Sequence, residues 1–152
     1  MTKPIPNGYY AVTPYLHIAG AAAAIEFYKK AFRAEEIMRM TGDDGRIGHA
    51  ELQIGDSRIM LADEHAEIEA YGPKHFGCSP ITLMLYCENV DSTVEKAMAE
   101  GAKITRPIAD QFYGDRNGGI EDPFGYQWFI ATHVEDVSNE EMERRTETYK
   151  VS

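Results

Sequence analysis

The sequence contains the same order of predicted elements twice, and this internal repeat limits the folds that the chain can adopt. A strand, a helix and three further strands are predicted over residues 12–62, and the same order is predicted again over residues 81–132. At an offset of 69 residues, Leu16-His17-Ile18 lies over Leu85-Tyr86-Cys87. Repeated units of this kind bury a shared face that one unit cannot cover alone. We therefore predict an α+β fold built from two βαβββ modules.

Hydrophobic periodicity and turn residues assign the elements of each copy. The first copy is predicted to contain Val12–Ile18, Ala21–Phe32, Glu36–Met40, Ile47–Ile54 and Arg58–Ala62. The second copy is predicted to contain Ile81–Cys87, Val90–Glu100, Ala102–Arg106, Arg116–Glu121 and Tyr126–Thr132. In the third strand of each copy, the best match places Glu51 over Glu121, at an offset of 70. We expect a first module with its N-terminal arm over residues 1–62, a linker over residues 63–80, a second module over residues 81–133 and a charged C-terminal helix or tail over residues 134–152.

Composition and charge narrow the classes of function. The chain has 152 residues and a formal net charge of -10, and this negative charge disfavours nucleic acids and anionic membranes as partners. No apolar run approaches the roughly 20 residues that span a bilayer. The N-terminus lacks the apolar segment of a signal peptide, and Cys78 and Cys87 lack the spacing of a redox motif. We therefore expect a cytoplasmic protein.

A turn before the last strand narrows the fold further. In Asp122-Pro123-Phe124-Gly125, the proline presets φ and the glycine permits the chain reversal. This turn and three longer segments together resemble proteins of the vicinal oxygen chelate superfamily, and within it the PhnB-like branch. The three segments are TPYLHIAGAAAAIEFYKKAF, RIGHAELQIGDSRIMLADE and DQFYGDRNGGIEDPFGYQW. That superfamily includes glyoxalase I, bleomycin resistance proteins, fosfomycin resistance proteins and extradiol dioxygenases. The resemblance implies mixed sheets that curl into an incompletely closed cup around a metal and a small ligand, with the helices outside.

The resemblance also gives meaning to the two faces of each strand, because alternate residues of a strand point to opposite sides. One set is expected to pack under the helices: Leu16, Ile18, Leu52, Ile54, Ile59, Leu61, Leu83, Leu85, Trp128 and Ile130. The other set is expected to line the cup: Thr13, Tyr15, His17, His49, Glu51, Gln53, Met60, Thr82, Met84, Tyr86, Gln127 and Phe129. An apolar and aromatic lining with a few polar groups is typical of a small-molecule site. The alternative is that these side chains fill the cup themselves.

The metal that the resemblance implies does not fit this sequence. Glyoxalase I-like members place one ligand on each of four strands, usually two His and two Glu. The matching positions here are Thr13, Met60, Thr82 and Phe129. These side chains do not form a nitrogen and oxygen site for zinc, nickel, manganese or iron, and a shift of one residue reaches equally inert neighbours. We therefore predict no metal at these positions and no other cofactor.

A relocated site is the alternative. His49 and Glu51 lie two residues apart on one strand face, and with His17 they would supply three metal ligands. Without a metal, His49 and Glu51 would form an acid-base pair. A hydrogen-bonded polar lining of the cup is the simpler interpretation. Asp63, Glu64, His65 and His75 in the linker form a second candidate metal cluster, for which a solvated loop is the simpler interpretation. His133, after the last strand, is likewise expected at the surface.

The loop before the third strand of the second module is a further candidate binding element. Its aromatic residues Phe112 and Tyr113 precede Gly114, and Asp115 and Arg116 follow as an oppositely charged pair. Arg116 would bind a ligand carboxylate or phosphate through two parallel hydrogen bonds. The alternative is that Asp115 and Arg116 pair with neighbouring residues and fix the loop.

The C-terminal segment is predicted to be an exposed helix or an arm over a partner subunit. Ser138 and Glu141 have the spacing of a capping box, and the segment from Val137 to Lys150 is densely charged. The family resemblance implies a homodimer.

Two functions follow from these observations. The first is metal-free binding of a small molecule by a dimeric cytoplasmic protein, with Tyr113 and Arg116 joining the cup residues as ligand contacts. The acidic charge is compatible with a cationic ligand. The second is a lyase- or dioxygenase-like enzyme that uses a relocated metal or the His49 and Glu51 pair. The substitutions at all four ligand positions weigh against the metalloenzyme.

Overall fold

The computed structural model describes residues 1–149, which form two four-stranded sheets with helices. The first module contains β1 (Tyr15–Ile18), α1 (Ala21–Phe32), β2 (Glu35–Thr41), β3 (Ile47–Ile54) and β4 (Ser57–Asp63). A 3-10 turn (Ala66–Ile68) and the short helix α2 (Pro73–Phe76) connect the modules. The second module contains β5 (Thr82–Tyr86), α3 (Val90–Ala99), β6 (Lys103–Asp110), β7 (Asp115–Glu121) and β8 (Gln127–His133), and α4 (Asn139–Thr148) follows it. The predicted α+β fold of two βαβββ modules is confirmed.

The two sheets have the same topology. Their strand orders are β1-β4-β3-β2 and β5-β8-β7-β6, with the first pair of each sheet parallel and the other pairs antiparallel. Tyr15 lies opposite Met60 and Met84 opposite Phe129, which confirms the offset of 69 residues between the first and last strands of the modules. In the third strands, Met60 faces Glu51 whereas Phe129 faces Gly119, so the offset there is 68. The predicted offset of 70 is wrong.

Several element bounds differ from the prediction. β1 begins at Tyr15 and not at Val12, since only the Pro14 carbonyl, which accepts from the Met60 N–H at 2.9 Å, joins the ladder before it. β4 extends through Asp63, whose carboxylate is held by backbone N–H groups and is not a solvated linker group. β6 continues to Asp110, well beyond the predicted end at Arg106.

The core connects the two modules through aromatic side chains. The rings of Tyr28 and Phe32 on α1 lie 5.5 and 4.7 Å from the Trp128 ring on β8. The Tyr28 hydroxyl donates to the buried Asp122 carboxylate at 2.6 Å, and the Trp128 Nε1–H donates to it at 2.9 Å. Burial raises the pKa of Asp122. Each buried aromatic ring contributes about 2 kcal/mol through removal of its apolar surface from water, so α1 stabilises both modules.

Each sheet has one face covered by helices and one face without them. Helix α1 contacts all four strands of the first sheet, and α3 contacts β6, β7 and β8. The ten apolar residues expected under the helices are buried or packed against the core. The alternate residues are exposed or half-buried on the opposite side. We call this helix-free side of each sheet its open face.

The C-terminal helix α4 begins after Ser138, whose hydroxyl accepts from the Glu141 N–H at 3.2 Å. Arg145 attaches the helix to the rest of the chain because it donates to Glu135 and to the Phe112 carbonyl. Lys150, the predicted end of this segment, lies outside the described residues. No helix within residues 1–149 combines the length and apolar character that a bilayer crossing demands.

Candidate functional site

A hydrogen-bonded chain of three side chains lies on the open face of the first sheet. The Tyr15 hydroxyl is 2.8 Å from His49 Nδ1, and His49 Nε2 is 3.3 Å from Glu51 Oε1. β1 supplies the tyrosine and β3 supplies the other two residues, with Met60 of β4 opposite both Tyr15 and Glu51. An imidazole protonated at Nε2 satisfies this arrangement, because it donates to Glu51 and accepts from Tyr15.

The pKa values of Glu51 and Tyr15, the two acidic groups of this hydrogen-bonded network, are shifted in opposite directions. The nearby Tyr9 phenol, followed by His49 and Arg58, holds the pKa of Glu51 below its usual range. The Tyr9 hydroxyl lies near Glu51 but makes no hydrogen bond of regular geometry with any described residue. Burial, followed by the charge of Glu51, raises the pKa of Tyr15. Glu51 is therefore an anion and Tyr15 a neutral phenol near pH 7, and the imidazole lies between them.

A cavity of about 230 Å³ adjoins this chain. It lies among β1, the turn between β2 and β3, and the end of β4, and Tyr15, His17 and His65 are among its lining residues. His17 Nδ1 is buried and has no hydrogen-bond partner among the described residues. A buried polar atom of this kind normally has a partner, and His17 Nδ1 is an exception among the described residues.

A cleft of about 300 Å³ lies between β5 and the segment that precedes β1. The edge strands β1 and β5 share no backbone hydrogen bonds. Pro14 lines it from the first module, and Met84 and Tyr86 line it from the second. Leu83 and Leu85, which pack toward the helices, also line this cleft, so it is not confined to the open faces.

The open face of the second sheet carries a different polar cluster, centred on Asp115. The Tyr86 hydroxyl donates to Asp115 Oδ2 at 2.9 Å, and His133 Nδ1 lies 2.8 Å from Asp115 Oδ1. His133 Nε2 lies 2.8 Å from Asp136. Asp115 is only 5% exposed, and its carboxylate, followed by that of Asp136, raises the pKa of His133. His133 is exposed, as expected, and its ring lies between two carboxylates.

The sequence prediction did not include Asp115 or Asn117 among the open-face residues, although the strand period contains the signal. β7 begins at Asp115 and not at Arg116. Alternation from Gly119 then places Asn117 and Asp115 on the open face. Asn117 Nδ2 donates to the Tyr113 hydroxyl at 2.7 Å, which brings the predicted loop tyrosine to this face.

Arg116 lies on the helix-covered side and does not join the predicted site. Its Nε and Nη2 donate to the Asp91 carboxylate at 2.8 and 2.9 Å, and its Nη1 donates to Asp110 at 3.2 Å. The guanidinium is thus paired with neighbouring residues, which was the alternative interpretation. A ligand carboxylate would have to displace two carboxylates of the protein from it.

The structure divides the other predicted ligand contacts between the sheets. The open face of the first sheet brings together Tyr15, His17, His49, Glu51 and Met60. The open face of the second sheet carries Met84, Tyr86, Gln127 and Phe129, with Tyr113 beside them. Acid-base and hydrogen-bonding groups dominate the first set, whereas apolar side chains dominate the second.

The side chains at the four positions that hold the family's metal ligands are poor metal ligands in this protein. Thr13, Met60, Thr82 and Phe129 supply hydroxyl, thioether and phenyl groups, which do not fit a divalent zinc, nickel, manganese or iron ion. Within residues 1–149, no three His, Cys, Asp or Glu side chains are grouped so that they could hold a metal. The absence of a metal in the protein stays a prediction.

Comparisons with known proteins identify the family. The Glyoxalase/Bleomycin resistance protein/Dioxygenase superfamily model matches residues 16–130, and the chain belongs to this superfamily. The uncharacterised protein Rv0887c of Mycobacterium tuberculosis is 36% identical over 136 residues, covering 88% of this chain and 80% of that protein. The uncharacterised protein Mb0911c of Mycobacterium bovis is also 36% identical over 136 residues, covering 88% of this chain and 90% of that protein.

Solved structures agree on the fold. A gene product of Arabidopsis thaliana has a TM-score of 0.66 at 24% identity, covering 81% of this chain and 98% of that one. The fosfomycin resistance protein FosX of Listeria monocytogenes has a TM-score of 0.64 at 15% identity, covering 87% and 96%. A PhnB protein from Bacillus cereus has a TM-score of 0.62 at 20% identity, covering 81% and 99%. At these identities the likeness extends to the fold alone.

Proposed function

We propose that the protein binds a small molecule on the open faces of its sheets, without a metal at the family's ligand positions. The observation that carries this proposal is the Tyr15-His49-Glu51 chain beside a cavity of about 230 Å³. These three side chains present ordered hydrogen-bonding groups beside Met60, one of the family's ligand positions. Because the three side chains already hold one another in position, a ligand would not have to order them.

Exposed apolar side chains supply the second part of the argument. Met84, Tyr86 and Phe129 are 45%, 59% and 38% exposed on the open face of the second sheet. Neighbouring exposed apolar residues mark binding surfaces more often than solitary ones do. Apolar contact area with a few convergent polar groups is the usual composition of a small-molecule site.

The finer assignments belong to the same proposal. The motifs quoted above favour the PhnB-like branch, and a PhnB protein is among the structures with this fold. A cytoplasmic homodimer would cover apolar residues of the open faces that one chain leaves exposed. Light scattering coupled to gel filtration tests this assembly, and a monomer at micromolar concentration would contradict it.

A fragment screen followed by two-dimensional NMR tests the binding proposal. The expected result is a set of compounds that shift the amide signals of β1, β3 and β8. The Glu51→Gln variant should bind those that contact the first sheet about tenfold more weakly, since a charged hydrogen-bond acceptor is lost. Glu95→Gln on α3 changes the net charge equally at an exposed residue outside both open faces and should leave affinity unchanged. Compounds that shift no open-face signal would refute the proposal.

The acid-base enzyme is the second candidate, and the same three side chains favour it. Environments that push the pKa values of two neighbouring groups apart are typical of acid-base sites, and here Glu51 and Tyr15 are shifted in opposite directions. The test is to incubate each bound compound with the protein and to follow it by NMR. Turnover that His49→Gln abolishes while binding persists would establish the enzyme, whereas an unchanged compound supports binding alone.

A further inference from the structure

We propose that Arg106 and Phe129 form an anion-binding subsite on the open face of the second sheet. The small molecule of the proposed function would then carry a carboxylate, phosphate or similar group attached to an apolar part. This inference rests on the proposed function and specifies the chemical class of its ligand. It replaces Arg116 as the predicted contact for a ligand anion.

The subsite lies along one row that crosses the sheet. Arg106 of β6 lies opposite Gly119 of β7, Gly119 lies opposite Phe129 of β8, and Phe129 lies opposite Met84 of β5. Residues paired in this way point to the same face. The Arg106 Cζ lies 5.8 Å from the centre of the Phe129 ring, within the range of a cation-π contact. A cation, an exposed phenyl ring and an exposed thioether therefore occur side by side.

Gly119 makes this arrangement possible. A Cβ atom at this position would lie 2.9 Å from Thr105 Oγ1, 3.1 Å from Arg106 Cβ and 3.4 Å from Phe129 Cδ1. The missing side chain lets Arg106 and Phe129 pack directly over β7. In the first sheet the equivalent position holds Glu51. A carboxylate at position 119 would give Arg106 a partner within the protein, and the glycine removes that partner.

Charge pairing distinguishes Arg106 from Arg116 and Arg145. Arg116 is held by Asp91 and Asp110, and Arg145 is held by Glu135 and Glu141. Arg106 makes no ion pair with any residue between 1 and 149. Its planar guanidinium keeps its donors for an external acceptor.

The positive charge of Arg106 is thus opposite in sign to the net charge of the protein. The formal net charge of -10 suggested a cationic ligand, but recognition depends on the groups that meet the ligand. The contact between the Arg106 guanidinium and the Phe129 ring favours this position of the side chain, so less conformational entropy is lost when an anion binds. A flat apolar anion would place its ring against Phe129 and Met84 and its charged group against Arg106.

A matched pair of probes tests the subsite directly. 2-Naphthoate and 2-naphthamide have nearly the same shape and differ in charge, so the ratio of their affinities isolates the anionic group. Each is titrated into ¹⁵N-labelled protein, with Kd taken from the amide shifts of β6, β7 and β8. Wild-type protein should bind naphthoate about tenfold more tightly, as expected for charge-assisted hydrogen bonds.

Variants assign that preference to Arg106. Arg106→Gln should abolish the preference for naphthoate, and Arg106→Lys should retain part of it because the charge remains without the planar fork. Arg33→Gln is the matched control, because Arg33 is an exposed residue at the end of α1 that makes no ion pair within residues 1–149. The charge change is the same. It should keep the wild-type preference. Unchanged amide spectra away from the substitution establish that each variant is folded.

The outcomes separate this inference from the proposed function. Equal affinities for the two probes, or a preference that survives Arg106→Gln, would overturn the subsite. Shifts confined to β1, β3 and β4 would also overturn it while leaving the proposed binding function intact. If neither probe nor any screened fragment shifts the open faces, both proposals fail together.

Discussion

Asp63 and Thr132 occupy equivalent positions in the two repeats, and each accepts the first N–H of its module's helix. Asp63 Oδ1 accepts from the Ala21 N–H at 2.8 Å, and Thr132 Oγ1 accepts from the Val90 N–H at 2.8 Å. The end of the last strand thus holds the start of the helix in both modules. Helix N-termini leave backbone donors unpaired unless an oxygen is supplied, and the repeat solves this problem twice with different side chains.

Replacing these two oxygen acceptors should destabilise the fold unequally. Asp63 also accepts from the Gly20 and Ile47 N–H groups, so Asp63→Asn turns an amide NH₂ toward at least one donor and should cost about 2 kcal/mol. Thr132→Val keeps the shape but removes both the acceptor of the Val90 N–H and the donor to the Cys87 carbonyl, at about 1 kcal/mol. Urea denaturation with an unchanged m-value measures both. Asp43→Asn, in an exposed turn, is the control, and an equal loss in all three variants would contradict the argument.

The Asp122 carboxylate is predicted to be the most sensitive polar group of the core. All four of its partners are donors: the Tyr28 hydroxyl, Trp128 Nε1–H and the backbone N–H groups of Phe124 and Tyr126. Asp122→Asn places an NH₂ group against these donors and should destabilise the protein by about 3 kcal/mol, as expected for a broken buried network. Tyr28→Phe should cost about 1.5 kcal/mol.

A double-mutant cycle tests the contact between these two residues. Because the Tyr28 hydroxyl donates to the carboxylate, the losses from Asp122→Asn and Tyr28→Phe should not add, with a coupling energy of at least about 1 kcal/mol. Additive losses would mean that the hydroxyl and the carboxylate act independently. Thermal or urea unfolding of the four proteins supplies the measurement.

Local patterns predicted those parts of the fold in which neighbours along the chain determine the structure. The bounds of α1 and β3 agree with the alanine-rich helical pattern and with strict alternation in the strand. The repeat also gave the offset between the first and last strands. In the third strands, the apparent match of Glu51 with Glu121 misled, because strand register depends on the partner strand and not on identity at one position.

The candidate site was less predictable, since it depends on which side chains find partners across strands. The two-residue spacing placed His49 and Glu51 on one face, but the contact with Tyr15 requires the order of β1, β4 and β3 in the sheet. The role proposed for Arg106 was not predicted, because the bulged pairing between β6 and β7 decides which residue faces Gly119. The neighbouring charges of Asp115 and Arg116 in the sequence could not show that Arg116 pairs with Asp91, which is distant along the chain.

The pKa of His133 should lie above its ordinary value. Asp115, and to a smaller extent Asp136, raises its pKa. Because the folded pKa is above the unfolded one, the stabilisation from this group is fully present below the unfolded pKa near 6.5 and is lost as the pH rises through the folded pKa. NMR titration of the imidazole C–H signals measures the value directly.

Variants of the two carboxylates test the cause of this shift. Asp115→Asn should lower the pKa of His133 more than Asp136→Asn does, because the Asp115 carboxylate raises this pKa most and is held in place by Tyr86. The reverse order would show that the exposed Asp136 dominates. A pKa of His133 that neither substitution changes would show that the two hydrogen bonds do not form in solution.

Removal of metal should leave the protein unchanged. The ligand positions of the superfamily hold Thr13, Met60, Thr82 and Phe129, and a metal that binds only the native state must raise its melting temperature by mass action. We therefore expect EDTA to leave the melting temperature within error, and Mn²⁺, Fe²⁺, Ni²⁺ or Zn²⁺ not to raise it. Elemental analysis of protein purified without a histidine tag is the independent measurement.

A stoichiometric metal, or stabilisation by one ion that His49→Gln and Glu51→Gln abolish, would instead favour the enzyme with a site relocated to the first sheet. Stabilisation that persists in both variants would place the ion elsewhere, so the two substitutions separate a functional metal from incidental binding to an acidic surface.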